Sequence, residues 1–358
     1  MLLNVLSVAF PFAPVRADAV GGAEQILSRL DQALVRAGHS SLVVACEGSQ
    51  VAGKLFSFPP PVRLGVGISE EAACRRAVQY AIDRALGSSR VDLLHMHGLD
   101  FDRYSLPEEI PAVVTLHLPI AWYPPEAWAR FAGRVQFCCV SQAQRRTFPA
   151  EAGDCVVIPN GVPLPELDRQ PPAGDYALVL GRVCPEKNTH AAFRAGSLAG
   201  IRVLLGGEVF PYPEHQQYFR EQVAPLLEER PGLPRHAFLG PLSPSRKQRL
   251  LAGARCLLHP TRAPETSSLV AMEALAAGTP VIAFRSGALP EIVEDGVTGF
   301  LVNTAEEMAE AIRRVGSLSR QACRSAAQRR FPLQRMIAGY MDLYQTMARR
   351  EPVEALYA

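Results

Sequence analysis

Short apolar runs alternate with amphipathic stretches along the chain, a rhythm that predicts β-α units on parallel sheets. Residues 3–10 read as a first strand, and residues 23–36 as a helix with Ile26, Leu27, Leu30 and Leu34 on one face. Gly38 stops that helix. Further strands are expected at 42–46, 91–95, 112–117, 135–140 and 155–158, with a helix over 70–86. Each expected strand is short and apolar at consecutive positions, as a strand buried on both faces must be.

Five prolines and two glycines between Pro159 and Asp175 break the rhythm and mark a linker. The pattern then restarts with a strand at 176–180, a helix at 191–198 and a strand at 201–205. A helix at 216–229 follows, kinked or split by Pro225. Strands at 236–239, 256–259 and 280–284 continue the series, and residues 333–349 form a long final helix. The fold class is α/β, with two doubly wound Rossmann-like domains over residues 1–163 and 164–332. A length of 358 residues suits two domains. Ligands of such sheets bind beyond the carboxyl ends of the strands, so two facing sheets would place a site in a cleft.

Composition narrows the class. The chain is 48% apolar and 20% charged, with a mean hydropathy of +0.05, which is globular rather than disordered or fibrous. A net charge of +2 gives no basis for wrapping nucleic acid. Only three cations are lysines (Lys54, Lys187 and Lys247), so a lysine beside a motif is informative. The eight cysteines form no C-x-x-C pair and read as buried thiols of a reducing cytosol. The apolar start lacks a basic flank and is broken at Pro11 and Pro14, so it reads as a strand rather than a signal peptide. No apolar run approaches the roughly 18 residues that span a bilayer. A cytoplasmic protein is expected.

Four segments carry chemistry. Gly21 and Gly22 open the first helix, where free N–H groups suit an anion. Arg182 and Lys187, in Gly181-Arg182-Val183-Cys184-Pro185-Glu186-Lys187, leave the end of a strand, where two fixed cations would neutralise a pyrophosphate leaving group without a metal. In Pro264-Glu265-Thr266-Ser267-Ser268-Leu269, the hydroxyl residues are natural N-caps for a helix beginning near Leu269, with Glu265 before it and Glu273 in its second turn. His117 ends a buried strand. Each segment also has an ordinary explanation: a turn, a solvated ion pair, a capped helix, a structural histidine. A cation site from His95, His97, Asp100 and Asp102 is the metal alternative, but Asp-x-Asp arises often by chance and no metal is expected.

Taken in order, these segments resemble the retaining glycosyltransferases of family 4, which have the GT-B fold. The resemblance rests also on Val157-Ile158-Pro159-Asn160-Gly161-Val162, Gly278-Thr279-Pro280-Val281-Ile282-Ala283, Ser286-Gly287-Ala288-Leu289-Pro290-Glu291 and Asp295-Gly296-Val297-Thr298-Gly299-Phe300. It spans nearly the whole chain and is strongest from 157 to 302. It implies a nucleotide-sugar donor, UDP-linked or GDP-mannose, and a saccharide, lipid-linked or small-molecule acceptor; the donor is a substrate and no cofactor is implied. Gly21 and Gly22 would approach donor phosphate or acceptor, and Arg182 and Lys187 would bind the diphosphate. Glu265 would contact sugar hydroxyls, Glu273 the ribose, Ser268 and Leu269 the phosphate through their amides, and His117 would line the reaction centre. The base pocket would lie near Gly240-Pro241-Leu242, and acceptor contacts in the loops 12–20 and 99–104. The final helix, 333–358, would cross back to the first domain.

One departure stands out: many members carry Phe-Gly where this chain has Ser267-Ser268, which narrows the backbone choices but leaves the amides in place. The resemblance further implies same-face transfer through an oxocarbenium-like transition state, since no carboxylate pair of glycosidase type is evident. Rival readings are another GT-B activity, such as an epimerase or phosphorylase, and a non-catalytic sugar-nucleotide-binding protein. Lipid-linked acceptors would bring peripheral membrane contact. Residues 1–163, however, carry 14 basic and 15 acidic side chains, and a solvated face explains the pairs Arg75-Arg76 and Arg145-Arg146 equally well.

Overall fold

The computed structural model describes residues 1–60, 68–165, 172–229 and 231–349. The chain divides into two compact units, Met1–Pro159 with the segment from Arg335 onward, and Asn160–Gln334. Part of the expected linker, 166–171, and the end of the expected final helix, 350–358, lie outside the described residues.

The first unit contains a seven-stranded sheet of β1 (Asn4–Val8), β2 (Ser40–Cys46), β3 (Lys54–Phe58), β4 (Leu93–Met96), β5 (Ala112–Leu116), β6 (Val135–Cys139) and β7 (Cys155–Val157). Its order is β3-β2-β1-β4-β5-β6-β7, parallel throughout. Helices α1 (Gly22–Arg36), α2 (Ile68–Ser88), α3 (Pro125–Phe131) and α4 (Gln142–Arg145) connect the strands. α1 buries Ile26, Leu27, Leu30 and Leu34, the stripe its periodicity predicts. Its buried Asp31 accepts from Ser41 Oγ at 2.7 Å and from the amides of Ala52 and Gly53 at 2.6 and 3.0 Å, so the helix also ties down the β2–β3 turn. Behind the sheet, Phe101, Trp128, Phe131, Phe137 and Phe148 pack edge to face or tilted.

The second unit is a six-stranded sheet of β8 (Tyr176–Leu180), β9 (Arg202–Gly206), β10 (Ala237–Phe238), β11 (Cys256–His259), β12 (Val281–Phe284) and β13 (Gly299–Val302). Its order is β10-β9-β8-β11-β12-β13, again parallel. Around it lie α5 (Thr189–Ala199), α6 (Pro213–Tyr218), α7 (Pro244–Gly253), α8 (Leu269–Ala276), α9 (Leu289–Ile292), α10 (Ala305–Arg314) and α11 (Arg320–Arg330). In both sheets the strand order reverses once, between β1 and β4 and between β8 and β11. Such reversals splay the following loops apart and open a crevice at the carboxyl ends of the two strands.

The last helix, α12 (Leu333–Ala348), belongs from Arg335 onward to the first unit. Tyr340 and Tyr344 are fully buried there. Tyr344 Oη lies 2.6 Å from His95 Nδ1, and His95 Nε2 lies 2.7 Å from Thr115 Oγ1, which in turn meets Tyr340 Oη at 3.2 Å.

Two expected boundaries need correction. The helix expected at 216–229 starts earlier, at Pro213, and is split as expected: α6 gives way to a π-turn over Phe219–Val223 and a 3-10 turn over Ala224–Leu226. Pro225 cannot donate the next α-helical hydrogen bond, and the helix changes pitch around it. The strand expected to run to Phe10 ends at Val8, because Pro11 removes the next ladder donor. β3 and α7 escape the apolar pattern because β3 alternates as an edge strand and α7 is mostly polar.

Candidate active site

The second unit gathers most of the expected site residues at the β8/β11 reversal. β8 ends at Leu180, and Gly181 turns the chain out of the sheet with φ +141°. Gly207 leaves β9 beside it, also at positive φ; a Cβ there would lie 1.8 Å from the Gly181 oxygen, so only glycine lets the two loops pass this closely. Arg182 follows, and the 3-10 turn Pro185–Lys187 then presents Lys187. That turn is pinned by the Glu186 carbonyl, which accepts from the Arg262 amide at 2.9 Å and Thr261 Oγ1 at 3.1 Å, so the loops after β8 and β11 hold one another in place.

Lys187 Nζ donates to Glu265 Oε2 at 2.7 Å, and His259 Nε2 approaches the same oxygen at 3.1 Å. The Glu265 side chain is 13% exposed. Burial alone would raise its carboxyl, but the Lys187 charge and the His259 hydrogen bond more than reverse this and hold it well below the usual carboxylate range. Its backbone is clamped from the other side. The Ala288 amide donates to the Glu265 carbonyl at 2.7 Å, and a Cβ at Gly287 (φ +53°) would lie 2.2 Å from that oxygen.

α8 begins at Leu269, as its caps predict: Ser268 Oγ accepts from the Ala271 amide at 3.2 Å. The same hydroxyl lies 3.4 Å from His259 Nε2, which links the helix start to Glu265. Ser267 Oγ is buried without a partner. In the second turn Glu273 meets Lys247 of α7, whose Nζ lies 2.9 Å from both carboxylate oxygens. At the expected base pocket the Gly240 carbonyl accepts from the Gly207 amide at 2.9 Å, and Leu242 covers Gly206.

Gly21, Gly22 and His117 belong to the first unit. Gly21 caps α1 and Gly22 begins it. Glu24 folds back over the cap, its carboxylate lying where a Gly21 Cβ would stand, so an anion arriving at this helix start must move that side chain. His117 follows β5 directly, and its Nε2 lies 3.0 Å from His97 Nδ1 with the rings stacked. Burial pushes His117 down to about 4, so it is neutral at pH 7. His97 is lowered as well, first by burial and then by its histidine neighbours.

The metal alternative does not assemble. Both nitrogens of His95 are taken, by Tyr344 and Thr115, and His97 turns its Nδ1 to His117. Two partners escaped the sequence reading, Lys247 and His259, and His97, weighed there as a metal ligand, is instead the partner of His117. For Lys247 a signal existed, since it is one of three lysines, yet its polar surroundings concealed the helix that carries it.

Two family models match the chain: Glycosyltransferase Family 4 over residues 20–165 and Glycosyl transferases group 1 over residues 176–317. The chain belongs to the family 4, group 1 glycosyltransferases. This glycosyltransferase is 28% identical over 300 residues to the phosphatidyl-myo-inositol mannosyltransferase of Mycobacterium leprae, covering 76% of this chain and 78% of the relative. Its fold is GT-B. It superposes on sucrose-phosphate synthase of Thermosynechococcus elongatus with a TM-score of 0.77 at 19% identity, covering 96% and 98% of the two chains. Anabaena HepE, crystallised with UDP and glucose, gives 0.70 at 19% identity over 96% and 100%. Among the described residues of this glycosyltransferase, no helix is long and apolar enough to cross a membrane.

Proposed function

We propose that this transferase moves a hexosyl group from a nucleotide-sugar donor to a saccharide or lipid-linked acceptor, with retention of configuration and without a metal. The observation that carries this reading is the convergence of Lys187, Glu265, His259 and the capped start of α8 at the β8/β11 reversal. In it, Arg182, Lys187 and the amides at Ser268 and Leu269 take the diphosphate, where fixed cations and a helix start offset its charge. Glu265, ionised under all ordinary conditions, accepts from sugar hydroxyls, and Glu273 accepts from the ribose. The bond between the anomeric carbon and the phosphate oxygen breaks while the acceptor oxygen bonds that carbon from the same face. The acceptor proton passes to the departing phosphate, so no side chain need serve as base, and His117 lines the centre as a neutral imidazole.

The test is calorimetry with UDP, GDP and ADP, repeated in EDTA. Binding of one nucleotide that survives the chelator supports the proposal. Loss of binding in EDTA would overturn metal independence, and no binding to any of the three would overturn the donor assignment.

A further inference from the structure

The second unit brings three metal-ligating side chains together, none of them used in the transferase reading. Cys184 and Glu186 flank Pro185 at the 3-10 turn after β8, and His215 comes from the start of α6. One atom of each (the sulfur, a carboxylate oxygen and a ring nitrogen) lies within 4.8 Å of the other two. Cys184 is 1% exposed and His215 is 7% exposed.

The local fold holds all three in place. The Val183 amide donates to the Glu208 carbonyl at 2.9 Å, so the chain that leads from β9 into α6 runs beside the segment carrying Cys184. Tyr212 meets the His215 ring edge-on with centroids 5.1 Å apart, and Phe210 stacks on it at 6.3 Å. At the other end of α6, Tyr218 Oη accepts from the His190 amide at 3.2 Å and so ties that helix to α5.

The donors are available for a ligand. His215 Nδ1 is buried without a hydrogen-bond partner, unlike His95, both of whose nitrogens are taken. The Cys184 thiol bonds the Glu186 carboxylate. Thiolate, imidazole and carboxylate together form a zinc donor set, whereas magnesium and calcium take oxygen ligands. A thiolate and a carboxylate also supply two negative charges to a divalent cation. Of the surrounding charges, Arg182 acts on all three groups and Glu214 on His215, and these two oppose one another.

We infer that Cys184, Glu186 and His215 bind a zinc ion, with water at the fourth position, and that the ion pins the Pro185–Lys187 turn to α6. At about 2.0–2.3 Å from each ligand atom, one ion spans a group of this size after small side-chain rotations. On binding, the sulfur–zinc bond replaces the sulfur–hydrogen bond and the proton leaves to solvent, so nothing is oxidised or reduced. No residue proposed to bind the donor is a ligand here. The ion is therefore structural and separate from the metal-free transfer proposed above, and the inference does not rest on that reading.

The test is titration of the reduced, metal-free full chain with Co²⁺, which takes tetrahedral zinc positions and reports a sulfur ligand through a thiolate-to-cobalt absorption band. The expected result is saturation at a single equivalent and displacement by Zn²⁺. Cys184→Ser abolishes the thiolate band. His215→Ala weakens binding about a hundredfold or more, since loss of even an outer partner of a metal ligand costs about 10–100-fold. Cys155→Ser, a change at a partly exposed cysteine outside the cluster, leaves the band as it is. Zinc raises the unfolding midpoint of the wild type and not that of Cys184→Ser. Absence of the band in the wild type overturns the inference whether or not the variants fold. A band that survives Cys184→Ser, or one that disappears in Cys155→Ser, overturns it as well. Calorimetry shows that folded Cys184→Ser still binds nucleotide; loss of that binding overturns the structural role and makes the ion part of the donor site.

Discussion

Lys247 Nζ sits 2.9 Å from both carboxylate oxygens of Glu273, so the acid proposed to hold the ribose is already engaged by a cation from α7. The pair fixes the position of the carboxylate. Glu273→Gln should weaken binding of the cognate nucleotide about tenfold or more, the scale of a lost hydrogen bond to a charged group. Lys247→Met should weaken it less, since the carboxylate remains. Calorimetry on both variants checks the order; equal affinities in wild type and Glu273→Gln would remove Glu273 from the site.

Lys187 should discriminate between nucleotides by their phosphates. Lys187→Ala is expected to reduce diphosphate affinity about tenfold or more while leaving monophosphate affinity nearly unchanged, because a charge-assisted contact to the second phosphate is lost. Titrations with UDP and UMP, or GDP and GMP, separate the two. Parallel losses would mean that Lys187 acts only by positioning Glu265.

The Glu265 carboxyl carries an acid-stability consequence. Its folded-state value is depressed, so it contributes stability that is full above its ordinary value of about 4.3 and is lost as pH falls through that value towards the folded one. Urea denaturation of wild type and Glu265→Gln at pH 7 and pH 3.5 measures this. The gap between the two proteins should narrow at the lower pH. A constant gap would show that the Lys187 ion pair does not hold the carboxylate charged.

His117 is pushed in the same sense, with a different result. At about 4 it stays neutral where a free histidine titrates. Between pH 6.5 and 4 the unfolded chain takes up a proton that the folded chain refuses, so this group lowers stability as the pH falls. Its ring-proton NMR signal should stay fixed from pH 8 to pH 5, and the transfer rate should show no limb near 6.5 from this residue. A signal titrating near 6.5 would contradict the burial that the geometry implies.

Tyr344→Phe removes one hydroxyl and leaves His95 Nδ1 unpaired in a site with no exposure. The expected cost is about 1–3 kcal/mol, seen as a lower midpoint for unfolding of the first unit. Tryptophan fluorescence follows it well, because both tryptophans, Trp122 and Trp128, lie in that unit. An unchanged midpoint would mean that water replaces the lost hydroxyl.

The parallel strands were legible because consecutive apolar residues have few alternatives to burial on both faces: β8 and β11 have the limits that the pattern predicts. Helix starts marked by glycine pairs or hydroxyl caps, as at Gly22 and Leu269, were legible within a residue. Edge strand β3 and polar helix α7 were not, because their sequences satisfy a solvated surface as well as a regular element. At the site, the identities of Lys187, Glu265 and Glu273 could be read from motif order. Their pairings could not, because Lys187 meets Glu265 and Lys247 meets Glu273 only after strands distant in sequence have taken their places. The His97–His117 contact is of the same kind, joining the ends of β4 and β5.

The seat of α12 bears on how the protein is made. Strands β1 to β7 leave the ribosome well before α12, yet the side chains that meet His95 and Thr115 belong to Tyr344 and Tyr340 of that helix. At about 5–20 residues per second, the stretch between Pro159 and Arg335 takes roughly 10–35 s to synthesise. The sheet of the first unit therefore waits, with His95 Nδ1 lacking its tyrosine partner, until Tyr344 has been added.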